Sequence, residues 1–215
     1  MNKYILIPVL FLLSCTNDNQ SLITAQLIKG VGGDSAAFVR EIPVTTKGPG
    51  KGKYDFMYNI MTAYACGLKL DSLFNGYKSI QIRIWLGHSM ASKKQVIILS
   101  NRSGQWKGRV VCYAGNCYCI KSDKYINPSH GWGSLLEKIQ QLQITTLPNG
   151  DDIAGFLGCC GADGIDYIFE IATEKKYRFY DYSNPEEYTD KFWQAKNVVE
   201  FANMLENEFG FKYTR

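Results

Sequence analysis

At the centre of the chain lie Ile80-Gln81-Ile82-Arg83-Ile84-Trp85, in which isoleucines alternate with polar or aromatic side chains. Because successive side chains of a β-strand point to opposite faces, this period of two predicts a strand with one apolar face. Similar stretches of β-branched or aromatic residues follow at 95–100, 105–113, 165–173 and 177–182, with turn residues or a helix between them. The sequence therefore predicts a sheet built as an antiparallel meander.

Helical periodicity flanks these strands. Apolar residues recur at helical spacing in segments 54–68, 135–142 and 185–209. In the last segment, Val198 and Ala202 are predicted to lie on the buried stripe. We therefore expect an α+β fold, with a single antiparallel meander sheet and two or three helices packed on one face.

The composition is that of an ordinary globular protein. The 215 residues are 46% hydrophobic and 20% charged, which excludes a disordered, collagen-like or low-complexity chain. The formal net charge is only +4, and the lysines and arginines of the chain are dispersed among acidic residues. Nucleic-acid binding is therefore not expected. We expect one α+β domain over residues 54–215, preceded at 15–53 by a tether and an irregular segment. That segment could form edge strands at 22–28 and 36–44.

The N-terminus has the features of an export signal. Lys3 precedes an apolar run over residues 5–13, which is too short to span a bilayer core of about 30 Å. The end of this run, Leu12-Leu13-Ser14-Cys15, resembles the lipobox of bacterial lipoproteins, although Leu13 stands where smaller residues are commoner. An ordinary signal peptide with a chance cysteine is the alternative.

The lipobox resemblance implies a definite processing and location. Residues 1–14 would be a signal peptide, the thiol of Cys15 would carry diacylglycerol, and its new amine would receive a further chain such as palmitate. Several acyl chains would anchor a soluble domain firmly. The expected location is the cell envelope, at the periplasmic or surface face of the outer membrane, with the membrane leaflet left open.

The second half of the chain resembles small uncharacterised bacterial α+β lipoproteins of unknown function. In these proteins strands are followed by a helix, a Leu-Pro link, an Asp-Gly strand pair and a terminal helix. The resemblance implies a fold and no activity, because Asp-Gly and Asn-Pro are turn sequences. The matching residues are Trp132, Leu135, Leu136, Leu147, Pro148, Asp163, Gly164, Tyr167, Glu170, Tyr177, Arg178, Tyr180, Asn184 and Pro185.

Aromatic side chains are the main candidates for a binding site. The predicted strands carry more tyrosine and tryptophan than one sheet face can bury. Beside Arg83, Arg109 or Arg178, an exposed aromatic face would have the composition of a protein- or glycan-binding patch. Alternatively, the rings simply fit a pleated surface. The candidate binding residues are Trp85, Trp106, Tyr180, Tyr182 and Arg178.

One stretch is similar to a catalytic motif. Gly87-His88-Ser89-Met90-Ala91 is similar to the G-x-S-x-G nucleophile elbow of α/β-hydrolases, with alanine in place of the final glycine. A strand rather than a helix is predicted to follow it. His130 and Asp123 could be offered as partners of Ser89 in a small envelope hydrolase. A hairpin loop between two strands is the favoured interpretation of this stretch, so no catalytic residue, metal ligand or cofactor is predicted.

Six cysteines besides Cys15 could form disulfides, because export makes them permissible. Residues 113–116 resemble a four-residue hairpin loop, which would place Cys112 opposite Cys117 and predicts a disulfide between them. A zinc site built from these and other cysteines is the alternative. The cysteines whose redox state is left open are Cys66, Cys119, Cys159 and Cys160.

Together these features predict an envelope-anchored, non-enzymatic binding or interaction module. The alternatives are the hydrolase around Ser89 and an immunity or inhibitor lipoprotein. The expected partners are the membrane, through the lipid anchor, and a protein or glycan ligand.

Overall fold

The structure is a computed structural model that describes residues 12–32, 36–45, 51–87, 93–114, 117–156 and 164–210. Within these residues the helices are α1 (Leu12–Gly32), α2 (Phe56–Gly67), α3 (Gly131–Gln141) and α4 (Trp193–Phe209). The strands are β1 (Val39–Glu41), β2 (Ile80–Leu86), β3 (Lys93–Arg102), β4 (Gln105–Ala114), β5 (Cys119–Ile126), β6 (Asp166–Thr173) and β7 (Lys176–Ser183).

The strands form one seven-stranded mixed sheet in the order β1-β7-β6-β2-β3-β4-β5. Strands β2 to β5 are an antiparallel meander, as predicted. After β5, α3 takes the chain across one face of the sheet, so that β6 pairs antiparallel with β2. The short β1 pairs in parallel with β7. The α+β class is confirmed, whereas a single antiparallel meander is wrong because the chain returns to the other side of β2.

Helices cover both faces of the sheet. Helices α1, α3 and α4 pack on the face that contains Ile80, Ile82 and Ile84. Helix α2 and the segment after it pack on the opposite face, which contains Trp85 and Phe179. The expectation of two or three helices, all on one face, is therefore wrong, because a fourth helix covers the other face. Every residue of β2 is buried, because the polar and aromatic face of this strand is also covered.

Helix α1 includes residues 22–28, which were predicted to form an edge strand. Ile23, Leu27 and Val31 recur every four residues and are buried against the sheet. The Trp106 Nε1 atom of β4 donates a hydrogen bond to Thr24 Oγ1 at 2.9 Å. The predicted strand is wrong because this apolar spacing has a period of four and not of two.

The terminal segment begins with a short 3-10 turn, Pro185–Tyr188, and continues as α4. Val198 and Ala202 are both buried in the core beneath α4, as predicted. This helix therefore docks on the sheet through the stripe that its sequence indicates.

Candidate anion-binding cleft

One corner of the sheet, on the face that α2 covers elsewhere, forms a polar cavity. Strands β2, β3, β4 and β5 make its floor, and the segment between α2 and β2 makes one wall. We call it the sheet-corner cleft; its volume is about 440 Å³. Its lining residues are Leu70, Asp71, Tyr77, Gln81, Arg83, Ile98, Ser100, Arg102, Ser103, Gln105, Lys107, Arg109 and Tyr125.

Strand register places these side chains on a common face. Gln81 pairs with Ser100, which pairs with Lys107 on the next strand. Residues that lie opposite each other on neighbouring strands point to the same side of a sheet. Arg109, two residues along β4, pairs with Tyr125 of β5 and therefore joins this face. The cleft floor is thus a polar patch built from alternate residues of adjacent strands.

The cleft has an excess of positive charge. Four lining residues are cationic (Arg83, Arg102, Lys107 and Arg109), and Asp71 is the single acid among them. Within the described part of the chain, Arg102 and Lys107 form no salt bridge, although Arg102 Nε donates to the Tyr77 hydroxyl at 2.7 Å. These two cations are available to an anionic ligand.

Arg109 is held by a carboxylate outside the cleft lining. Its Nε and Nη2 atoms donate to the two carboxylate oxygens of Asp123, each at 2.7 Å. The hydrogen bonds from Arg109 lower the pKa of Asp123. This two-point pairing fixes the plane of the guanidinium at the edge of the cleft and compensates its charge.

Arg83 forms the deepest part of the floor. Its Nη1 atom contacts Glu170 Oε2 at 3.2 Å, and this ion pair is almost completely buried. Its Nη2 atom donates to the Asp71 carbonyl at 2.9 Å and to Gln81 Oε1 at 3.1 Å. Trp85 Nε1 donates to the other oxygen of Glu170 at 2.9 Å. The network leaves one buried donor, Arg83 Nε, without a hydrogen-bond partner.

This arrangement is suited to holding an anion. Arginine offers a planar fork of donors to carboxylates, phosphates or sulfates, and lysine adds a compact charge. The amides of Gln81 and Gln105 and the hydroxyl of Ser100 could bind neutral polar groups of the same ligand. The volume falls within the range of small-molecule sites. Neither histidine nor cysteine is among the lining residues, and no cluster of three or more potential metal ligands occurs in the described residues.

Two other cavities have a different character. One, of about 610 Å³, has Lys29, Lys78 and Lys175 around a mainly apolar lining near the end of α1. The other, of about 630 Å³, includes Asp55 and Asp151. Asp55 accepts a hydrogen bond from the Met57 backbone amide at 2.8 Å and so caps α2. Neither cavity combines several guanidinium groups with hydrogen-bonding side chains as the sheet-corner cleft does.

Asp181 lies next to the cavity that includes Asp55 and Asp151. Burial raises the pKa of Asp181 to about 7, and the negative charges of nearby carboxylates such as Asp151 contribute to this rise. Between about pH 4 and 7 the folded protein keeps this proton while the unfolded chain releases it, so stability should fall as the pH rises. We expect Asp181→Asn to raise the melting temperature by several degrees at pH 8 and to change it little at pH 4. The exposed Asp190→Asn variant is the control for thermal unfolding at both pH values. If the melting temperatures of the parent and of Asp181→Asn changed with pH in the same way, this account would be contradicted.

The predicted aromatic patch does not exist as an exposed surface. Trp85, Trp106, Tyr180 and Tyr182 are all buried, because helices cover both faces of the sheet. Their polar atoms bond inward; for example, the Tyr182 hydroxyl donates to the Pro148 carbonyl at 2.8 Å. The proposal that these rings form a ligand-binding face is therefore wrong.

Arg178, the remaining candidate binding residue, also bonds to other parts of the fold. It pairs with Glu41 at 2.6 Å and donates to the Leu147 carbonyl at 2.7 Å, which connects β7 to β1 and to the loop after α3. Of the arginines that the sequence suggested, Arg83 and Arg109 lie in the cleft, whereas Arg178 does not. Sequence reasoning missed Arg102 and Lys107, although each lies two residues from another polar residue of the same strand face, Ser100 or Arg109.

Ser89 lies outside the described residues. The flanking strands β2 and β3 pair antiparallel from Leu86 and Gln95 onward, whereas a nucleophile elbow needs a strand followed by a helix. His130 Nδ1 lies 2.8 Å from Glu208, and Asp123 pairs with Arg109. Each residue offered as a catalytic partner of Ser89 is thus paired with another side chain.

The cysteines pair differently from the prediction. A disulfide joins Cys117 to Cys119, and Cys112 is free. The predicted Cys112–Cys117 bond is wrong because β4 continues to Ala114, which pairs with Cys119, so the two strands meet two residues further along the chain than predicted. Cys112 consequently lies opposite Ser122. Cys66 is free and exposed. Cys159 and Cys160 lie outside the described residues.

No protein-family model matches this chain, and no curated protein or solved structure is significantly similar to it. The resemblance to bacterial lipoproteins therefore stays a prediction from the residues that suggested it.

Proposed function

We propose that this protein is a lipid-anchored, non-enzymatic binding module of the bacterial cell envelope that holds an anionic ligand in the sheet-corner cleft. The observation that carries the proposal is that four cationic side chains line one cavity and that, among the described residues, only Arg83 and Arg109 of these four are paired with a carboxylate. Two of these cations, Arg102 and Lys107, are exposed to solvent. They can therefore pair with a ligand without first breaking a salt bridge to a described residue.

The floor of the cleft supports binding because it is held in place before a ligand arrives. Arg83 is fixed by Glu170, Gln81 and the Asp71 carbonyl, and Arg109 is fixed by Asp123. Groups that are already ordered lose little conformational entropy when a ligand binds. We infer that the ligand presents at least one carboxylate, phosphate or sulfate to Arg102 and Lys107, above this ordered floor.

Lys107→Glu is expected to weaken anion binding at least tenfold, because it replaces an attractive charge in the cleft by a repulsive one. Calorimetric titrations with inorganic phosphate, glucose 6-phosphate and glucuronate would measure this, with glucose as the neutral comparison. Lys138→Glu makes the same charge change at an exposed site on α3, across the sheet. Failure of every anion to bind the parent, or equal weakening by both variants, would contradict the proposal.

Cys15→Ala is expected to release the protein from membranes, because the proposed acyl chains would be lost. No helix in the described part of the chain is long and apolar enough to cross a membrane. Phase separation in detergent, combined with the mass of the N-terminal peptide, measures the anchor. Cys112→Ala is the control and should stay in the detergent phase. A Cys15→Ala variant that also stays there would refute the anchor.

A further inference from the structure

Helix α1 crosses the strands rather than running along them. Thr24 is hydrogen-bonded to Trp106 of β4, whereas a Cβ atom on Gly32 would lie 3.9 Å from Thr173 of β6. Strands β3 and β2 separate β4 from β6 in the sheet. Followed towards its N-terminus, α1 therefore passes from β6 to β4 and heads for the Ile126 end of β5, the strand at the edge of the sheet.

The length of α1 places the backbone of Cys15 beyond that edge. Cys15 precedes Thr24 by nine residues of the same helix. At a rise of 1.5 Å per residue this is about 13 Å along the helix axis. Strand β5 lies only about 4.8 Å beyond β4, which is one strand spacing. A lipid attached to Cys15 would therefore hold the β5 edge of the domain close to the bilayer.

The β5 edge has side chains that suit this position. The Tyr125 residue is 78% exposed, Ile120 is 46% exposed and Tyr118 is 39% exposed. Lys121 and Lys124 are also exposed on this strand. Tyrosine is favoured at membrane–water interfaces, and lysine amines attract anionic headgroups. An exposed edge strand also has unpaired backbone groups, which a polar headgroup layer can satisfy.

We propose that the β5 edge, defined by Tyr118, Ile120, Lys121, Lys124 and Tyr125, is a membrane-contact surface. Its partner is the headgroup layer of a bilayer that contains anionic lipids. This inference rests on the proposed acylation of Cys15, which determines which edge faces the membrane. Because Tyr125 also lines the sheet-corner cleft, the cleft opens beside the bilayer.

The test uses the full chain produced in a bacterium and reconstituted in vesicles of phosphatidylcholine and phosphatidylglycerol. A photoreactive diazirine side chain is placed at Tyr125 or, as the matched control, at Phe56, which is 74% exposed at the start of α2. We expect at least five times more lipid adducts, detected by mass, from position 125 than from position 56. Equal yields at the two positions, or adducts at position 125 to protein instead of lipid, would overturn the inference.

The same samples separate this inference from the proposed anchor. The mass of the N-terminal peptide shows whether Cys15 is acylated. An unmodified Cys15 overturns both proposals, whereas an acylated Cys15 without preferential lipid adducts at position 125 overturns the membrane-contact surface alone.

A second variant checks the role of charge. Lys121→Glu combined with Lys124→Glu should lower the adduct yield at position 125 severalfold in anionic vesicles and change it less in pure phosphatidylcholine. Lys138→Glu should leave both yields unchanged. A double variant that behaves like the parent in anionic vesicles would overturn the proposed attraction to anionic headgroups.

Discussion

Glu170→Ala is expected to lower the free energy of unfolding by about 3–5 kcal/mol, because it leaves the Arg83 guanidinium buried without its counter-charge. It also removes the acceptor of the Trp85 indole. Urea denaturation measures the loss. Asp123→Ala removes a carboxylate from a more exposed ion pair and is the control, with an expected loss of about 1 kcal/mol or less.

The double variant Arg83→Met with Glu170→Leu tests the cause of that loss. Replacing both charges by apolar side chains of similar size removes the unpaired charge, so much of the stability should return. If Glu170→Ala were as stable as the parent, or if the double variant were no more stable than Glu170→Ala, the role assigned to the buried pair would be wrong.

Val198→Asp is expected to lower the melting temperature by more than 8 °C, because it places a carboxylate in the fully buried interface between α4 and the sheet. Thermal unfolding followed by circular dichroism measures the change. Lys196→Asp introduces the same side chain at an exposed position of α4 and should change the midpoint by less than 2 °C. If Val198→Asp melted within a degree or two of the parent, α4 would not be docked as described.

Sequence periodicity predicted the positions of the strands, but it did not predict that helices cover both faces of the sheet. The alternation in residues 80–85 predicted β2, and the turn sequences around it predicted the meander of β2 to β5. The same alternation could not show that a helix covers the second face, because Trp85 and Arg83 are compatible with either an exposed or a buried position. Their burial depends on Glu170, which is 85 or more residues away in the sequence.

The candidate site depends on strand register, which the sequence determines only partly. Arg83 and Arg109 were suggested as binding cations from their types alone, and both line the cleft. Arg102 and Lys107 could be added only once β3 and β4 were aligned residue by residue. The predicted Cys112–Cys117 disulfide failed for the same reason, because the last pair of β4 and β5 is Ala114–Cys119, two residues further along β4 than predicted.

The central claim is that an anion binds in the sheet-corner cleft, and amide chemical-shift mapping by NMR tests it most directly. The titrant is the anion that calorimetry shows to bind most tightly among phosphate, glucose 6-phosphate and glucuronate. The account predicts that the largest shift changes fall on Ser100, Arg102 and Lys107. Largest changes around Lys29 and Lys78, in the lysine-lined cavity near the end of α1, would contradict it.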